Sequence, residues 1–589
     1  MPHAERLAAV REMLSRSGVD GFILPRTDRH GSEYLPDCEQ RVAWLTGFTG
    51  SAATVVITAD RAAVFSDGRY TVQLAEEVDG GLFERCHLAD DPPREWLGRH
   101  LPAGGRLGFD AYLTRKAEFR ALEKVLARKG SSLLAIENPV DAVWTDRPAP
   151  PTAPVQRLDI RFAGTESRSK RASMGEAIAR LGAEAMLVTT ADHIAWLLNV
   201  RGGDIPYNPL CLSHLLLERD GSCRWFVDPR KTGALGPLDN AVEILPPEAL
   251  ETAIADLSGR RVLIDPTGTH LGYIDALKAA GAVIIEDTDP IALAKAKKNE
   301  TEIQGAITAQ KRDALAMLRF LCWLDTIPLD GSISELDAAR RLEEERAKDP
   351  LYRGPSFETI SAHGPNAALP HYRVTATSSR PLTGGTVYLV DSGGQYPDGT
   401  TDITRTVALG KVNGDIRRTN TLVLKGHIAI ARCRFPAGTS GAQLDTLARH
   451  PLWQAGLDFD HGTGHGVGAY LCVHEGPQRI SKSGPVALEA GMIVSNEPGY
   501  YRTGQFGIRI ENLVVVAPAS KSASDERRMH AFDTITLCPI DRRLIDGDLL
   551  DDGERTWLDA YHARVRHELA PLVEDTAIRH WLEAATTPL

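Results

Sequence analysis

His461 and His465 stand four residues apart in a run of mostly small residues, His461-Gly-Thr-Gly-His465-Gly-Val-Gly468. Imidazoles bind metals, carry protons and orient polar substrates. Glycine disfavours helix and permits unusual backbone angles. The segment therefore predicts a tight, shaped loop, not the helical His-x-x-x-His pair of a zinc peptidase. Four acids elsewhere, Asp391, Asp402, Glu497 and Glu511, lie in segments that could complete a metal centre with one of these histidines.

Asp391 ends the apolar run Val387 to Val390, and Asp402 follows in Gly399-Thr-Thr-Asp-Ile-Thr-Arg-Thr406. The Ser-Gly-Gly and Pro-Asp-Gly between them are turn material, so a hairpin would bring both carboxylates together. Close acids repel unless protonated or bridged by a cation. In a chain with 78 acidic residues, solvated hairpin charge is the favoured reading of such a pair taken alone. Glu497 follows Met492-Ile-Val and precedes Pro498-Gly499. Glu511 falls inside a predicted strand, Ile508 to Val516, where an unpaired carboxylate is costly to bury. Alternation puts Arg509 and Glu511 on one face, and a solvent-facing ion pair between them is the competing reading. His371 and His474 do not stand out alone among 18 histidines.

The elements that must position these groups fall into three stretches. Gly21-Phe-Ile-Leu-Pro25 and Ala53-Thr-Val-Val-Ile57 read as strands and Thr71 to Val78 as helix. A proline-rich passage from Asn138-Pro139 through Pro154 reads as a linker. A second stretch repeats the first in outline. Ala185-Met-Leu-Val-Thr189 matches the first strand, Ile194-Ala-Trp-Leu-Leu198 echoes Val42-Ala-Trp-Leu45, and Phe226-Val-Asp228 echoes Phe65-Ser-Asp67. The fold class predicted is α/β, with two tandem related α/β domains. Asn299 and Glu302 then form a capping-box pattern ahead of a long amphipathic helix that opens a third domain. That domain turns β-rich at Thr386 to Val390, Met492 to Ser495 and Gly507 to Val516. Trp557, Leu558, Tyr561, Val565 and Leu569 suit a terminal helix. Domain limits are set at 1–155, 156–318 and 319–589.

At 589 residues the chain is too long for one core. Its 43% hydrophobic and 25% charged residues are ordinary for a soluble protein, and a net charge of -11 speaks against nucleic acid as the main partner. We expect no signal peptide and no membrane span. Eight scattered cysteines without a Cys-x-x-Cys predict free thiols in a reducing cytoplasm.

Together these segments resemble the pita-bread metallopeptidases, the fold shared by methionine aminopeptidase, prolidase and aminopeptidase P. The closer resemblance is to the long, three-domain aminopeptidase P family. It rests on Ser361-Ala-His-Gly-Pro-Asn366, His371-Tyr372, Leu389-Val-Asp-Ser-Gly393, Asp398 to Arg405, the His461–Gly468 run, Val473-His-Glu-Gly-Pro477 and Asn496-Glu-Pro-Gly-Tyr-Tyr501. Ser32-Glu-Tyr34, Thr46 to Ser51, Asp67 to Tyr70, Ile194 to Gly202, Thr536 to Ile540 and Trp557 to His562 extend it over essentially the whole chain.

The resemblance implies two creatinase-type N-terminal domains before a pita-bread α+β catalytic domain. It implies a ligand set of Asp391, Asp402, His465, Glu497 and Glu511 around two divalent ions. Such an oxygen-rich set suits manganese, with zinc, cobalt or iron also possible. Asp402 and Glu511 would bridge the ions, which would activate a water and polarise the scissile carbonyl. Glu497 would help take the water proton, and His371 and His474 would stabilise the tetrahedral intermediate or shuttle protons. His371, His461 and His474 would contact substrate, and Arg509 would orient a ligand carboxylate. The implied reaction removes the first residue from peptides with proline second, in a cytoplasmic homodimer. Alternatives are a prolidase-type Xaa-Pro dipeptidase and a non-catalytic peptide-binding module.

Overall fold

A computed structural model describes residues 1–236, 238–521 and 525–589. It divides into two compact units: 1–158 with 165–291, and 159–164 with 292–589.

The first unit holds two six-stranded sheets. Strands β1 (Gly21–Pro25), β2 (Thr54–Thr58), β3 (Ala62–Ser66), β4 (Glu84–His87), β5 (Arg106–Phe109) and β6 (Ser132–Ala135) lie in the order β4-β3-β2-β1-β5-β6. Strands β7 (Ala185–Val188), β8 (His214–Glu218), β9 (Cys223–Phe226), β10 (Val242–Leu245), β11 (Arg261–Ile264) and β12 (Val283–Glu286) lie in the order β10-β9-β8-β7-β11-β12. The directions match as well. In both sheets the first strand pairs antiparallel with the second and parallel with the fifth. The second and third pair antiparallel, while the third and fourth, and the fifth and sixth, pair parallel. Two tandem related α/β domains are therefore present. The central strands are covered on both faces, which is why they are almost continuously apolar.

The proline-rich linker begins later than its sequence suggests. Asn138 accepts a hydrogen bond from the Val140 amide and caps a short helix, Pro139–Val143. Val140 is buried in the first core, and Trp144 stacks on Trp44 at 5.4 Å. The stretch without helix or strand runs from 144 to 155.

The second unit opens with the helix Glu300–Leu324. Asn299 and Glu302 form the expected capping box, with hydrogen bonds of 3.0 Å in each direction. The helix places Ala314 and Leu318 in one apolar cluster of this unit, Met317 and Leu321 in a second, and Ala306 in a third. The expected limit at 318 thus cuts a continuous helix, whereas the unit itself starts at Ala292.

Strands β13 (Ile360–His363), β14 (Thr386–Ser392) and β15 (Ile403–Leu409) form one antiparallel sheet. A second sheet has the order β16-β23-β22-β19-β17-β18. Its strands are β16 (Arg434–Pro436), β17 (Gly464–Gly466), β18 (Glu475–Ile480), β19 (Ile493–Asn496), β22 (Asn512–Val516) and β23 (Met529–Thr534). A separate hairpin joins β20 (Gly499–Arg502) to β21 (Phe506–Arg509). The predicted strand over 508–516 is therefore broken. Ile510 and Glu511 cross from the hairpin to the second sheet, and their amides bond to Pro498 and Thr404 carbonyls instead of a ladder partner. The helix Asp552–Leu569, followed by a last helix at Thr576–Ala585, buries Leu558, Tyr561, Val565 and Leu569, as its pattern predicts. All eight cysteines are free thiols. No helix among the described residues is long and apolar enough to cross a membrane.

Burial pushes His427 and His562 down to about 3, with Arg405 adding repulsion. Each is neutral when folded and takes a proton when unfolded below the ordinary histidine value. Between about pH 6.5 and 3 the unfolded chain binds more protons, so stability falls as pH falls, by about 1.4 kcal/mol per pH unit for each histidine. His562→Gln, which keeps an acceptor for the Ile540 amide, should flatten that slope in denaturant melts. An unchanged slope would show that His562 is not held neutral.

Candidate metal centre

The hairpin of β14 and β15 carries the first two acids. Asp391 lies opposite Thr404 in the register, and Asp402 immediately precedes β15. Glu497 follows β19, and its amide bonds to the Thr463 carbonyl at 2.8 Å. Glu511 enters from the crossover before β22. Its carboxylate accepts from the Thr404 hydroxyl at 2.7 Å. Two sheets and a hairpin thus deliver four carboxylates to one place, three of them buried.

His465 sits on β17, not in a loop. Its glycine neighbours serve close approach, since none of Gly462, Gly464, Gly466 and Gly468 has a positive φ. A Cβ at Gly464 would lie 1.9 Å from the Ser495 carbonyl oxygen, and one at Gly466 would lie 2.4 Å from that of Glu475. The Gly466 carbonyl, 3.0 Å away, can only accept, so it places the His465 proton on Nδ1. Nε2 is left with its lone pair 3.5 Å from both Asp402 Oδ2 and Glu497 Oε1. Ligand atoms of Asp402, His465 and Glu511 all lie within 4.8 Å of one another.

The electrostatics are those of crowded, desolvated acids. Burial first, then Glu511, Asp391 and Glu497, push the Asp402 carboxyl well above the usual carboxylate range. Glu511 is raised likewise, by burial and then by Asp391 and Glu497. Glu497 is pushed up to about 7, chiefly by burial. Asp391 Oδ1 and Glu511 Oε1 are buried with no hydrogen-bond partner. The balancing guanidinium is that of Arg509, which the competing reading placed on solvent. It is buried and donates from Nη2 to Asp391 Oδ2 at 2.6 Å, from Nη1 to the Tyr501 hydroxyl at 2.6 Å and from Nε to the Thr404 hydroxyl at 3.1 Å.

The other histidines take separate places. His474 packs edge-on against His465, with ring centroids 4.4 Å apart. The next residue, Glu475, is buried between Lys295, at 2.6 Å, and Lys298. His461 donates from Nδ1 to the Gly462 carbonyl at 2.7 Å, and the Tyr501 hydroxyl donates to its Nε2 at 2.7 Å. It is therefore linked to the acids through Tyr501, Arg509 and Asp391. His371 is half-buried beyond the short helical turn Gly364–Ala368. Its loop is anchored by buried Glu335, which accepts from the Tyr372 hydroxyl, the Asn366 amide and the His363 backbone.

Thr404, Tyr501, Ser495 and Glu335 escaped the sequence reading. Thr404 was within reach, two residues from Asp402 and so on the same face of its strand. Nothing local marks Glu335.

The comparisons follow this geometry. The model of metallopeptidase family M24 matches residues 305–518, and that of the C-terminal region of this family matches 528–589. The creatinase/prolidase N-terminal domain matches twice, at 6–143 and 146–302. A probable Xaa-Pro aminopeptidase P of Laccaria bicolor is 40% identical over 99% of this chain and 93% of its own length. The chain belongs to the aminopeptidase P branch of metallopeptidase family M24. Aminopeptidase P2 of Arabidopsis thaliana is 37% identical over 99% of this chain and 88% of its own. Among solved structures, the X-prolyl aminopeptidase of Caenorhabditis elegans, described as a cytosolic enzyme with a di-nuclear active site, is 36% identical. It superposes with a TM-score of 0.93 over 100% of both chains. A prolidase of Thermococcus sibiricus, 25% identical with a TM-score of 0.52, covers 65% of this chain and 99% of its own.

Gly464→Ala should cost about 1–3 kcal/mol through overpacking, read from denaturant melts. Gly462→Ala, whose nearest contact would be 3.3 Å, should cost less. Equal losses would remove close approach as the reason for these glycines.

Proposed function

We propose that this chain releases the N-terminal residue from peptides whose second residue is proline, with two divalent ions held by Asp391, Asp402, His465, Glu497 and Glu511. The observation that carries this is the pair of unsatisfied, buried carboxylate oxygens, on Asp391 and Glu511, inside a cluster that one arginine cannot neutralise. Unpaired acids at such depth are costly, and cations remove the cost. The donor set is oxygen-rich with one imidazole, which favours hard ions, manganese first. Asp402 and Glu511, whose ligand atoms lie within 4.8 Å of each other and of His465, are the ones that would serve both ions. The relatives of matching length, and the di-nuclear site of the Caenorhabditis elegans enzyme, support the same reading.

Bound there, the ions would supply an activated water and a Lewis acid for the carbonyl before proline. The protein's own groups do the rest. Glu497, with Oε1 tied to the Ser495 hydroxyl at 3.2 Å, accepts the proton from the attacking water and passes it to the leaving proline nitrogen. His474 and His371 donate to the oxygen that gains charge as the carbonyl carbon becomes tetrahedral. His461 has both ring nitrogens occupied, so it meets substrate through its ring. Arg509 holds Asp391 in one orientation.

Full-length matches to aminopeptidases, against 65% coverage by a prolidase, favour peptides of three residues or more over Xaa-Pro dipeptides. We further propose a cytoplasmic homodimer, acting on peptides rather than on nucleic acid or membrane.

Asp402→Ala and Glu511→Ala should each lose bound metal, read by elemental analysis, and at least about a thousandfold of kcat/KM, of the order that metal assistance contributes. Retained activity in either variant would remove the assignment. Wild type should cleave Xaa-Pro-Yaa. Hydrolysis of Xaa-Pro alone would make it a dipeptidase.

A further inference from the structure

Arg405 lies three residues beyond Asp402 and is 1% exposed, yet every acceptor it finds is neutral. Its Nε donates to the Pro539 carbonyl at 3.0 Å. Nη1 donates to the carbonyls of Thr404, at 2.9 Å, and Glu511, at 2.6 Å. Nη2 reaches Asn512 Oδ1 at 2.8 Å, the Cys538 carbonyl at 2.8 Å and the Tyr561 hydroxyl at 3.0 Å. A buried guanidinium is expensive to desolvate, and the usual compensation is a paired carboxylate. Here the compensation is a ring of backbone, amide and hydroxyl oxygens drawn from several elements. These are strand β15, the crossover that carries Glu511, the start of β22 at Asn512, the segment after β23, and the helix Asp552–Leu569.

The same ring reaches the second glutamate. Asn512 and Asn496 are cross-strand partners, and they directly follow Glu511 and directly precede Glu497. Asn512 takes Arg405 on its oxygen and donates from Nδ2 to His427 Nε2 at 3.1 Å. His427 donates from Nδ1 to the Asn496 carbonyl at 3.1 Å, and Asn496 Nδ2 returns a bond of 2.9 Å to the His427 carbonyl. Tyr561 closes the ring from the C-terminal side. Its hydroxyl lies 2.9 Å from the Cys538 carbonyl, and its ring stacks on Trp557 at 5.3 Å.

We infer that Arg405 is a positioning residue through which the C-terminal region, and Tyr561 in particular, fixes Glu511 and Glu497 for metal binding. This rests on the two-metal reading of the site given above. The C-terminal region is then a brace for the ligands rather than only a cover for the apolar core. Atoms of the brace touch the Glu511 carbonyl and the flanking asparagines and never the carboxylates, so it acts on where the ligands point. Supporting groups of this kind typically change metal affinity by about 10–100-fold.

The test is cobalt titration of the chelated, full-length chain, followed by calorimetry and by the visible absorption of the bound ion. Three variants are compared with wild type. Tyr561→Phe removes one hydroxyl and keeps the stacked ring. Arg405→Lys keeps the charge and removes the fork. Val565→Ala thins the apolar face of the same helix without touching the ring of oxygens. We expect Tyr561→Phe and Arg405→Lys to weaken cobalt binding about tenfold or more and to change its absorption spectrum. In both, kcat at saturating metal should fall more than KM changes. Val565→Ala should lower the melting midpoint and leave cobalt affinity and spectrum as in wild type. If Arg405→Lys does not fold, Tyr561→Phe carries the test. Wild-type affinity and spectrum in Tyr561→Phe would overturn the inference, as would equal weakening in Val565→Ala. A wild-type chain that binds no pair of cobalt ions would overturn the underlying site reading itself, and would show this before any variant is compared.

Discussion

Mutual repulsion among Asp391, Asp402, Glu497 and Glu511 is the constraint on which the second unit depends. Two like charges about 4 Å apart cost about 4 kcal/mol at the effective dielectric of a partly wet protein, and here several such pairs are buried together. Arg509 answers only one acid directly. The remaining imbalance appears as carboxyl groups raised above their ordinary range and as oxygens without donors. Such a cluster is stable as a resident charge only when cations complete it. The sheets that deliver the acids are accordingly closely packed. Strand β15 is buried along its whole length and β14 from Val387 on, and glycines let β17 press against β18 and β19 at distances no side chain would allow.

Much of this was legible in the sequence because it depends on local pattern. The hairpin between Asp391 and Asp402, the Asn299–Glu302 capping box and the terminal helix follow from turn chemistry and periodicity. The tandem domains were legible as paired echoes around Trp44 and Trp196, and the identical strand order shows that the echoes mark one topology used twice. The proposed ligand set came only with the family resemblance that the separate motifs carry together, since an acid such as Asp391 or Asp402 alone reads as solvated charge.

What the sequence withheld is what depends on long-range contact. The strand over 508–516 breaks at Glu511 because amide partners at Pro498 and Thr404 are available there, and alternation has no term for them. The run around His465 reads as a loop because its glycines suggest backbone freedom, while the structure uses them for space. Arg405 gives no sign of its role, because its acceptors are mainly backbone carbonyls whose identity no residue type reveals. Glu335 is silent for the same reason: its partners His363, Asn366 and Tyr372 lie in a different motif.

The central claim is that the buried acids exist to hold two cations. Anomalous diffraction from crystals soaked in manganese tests it most directly. The account predicts two peaks in contact with both Asp402 and Glu511, one of them also against His465 Nε2. No peak there, or manganese bound only at surface carboxylates, would contradict it.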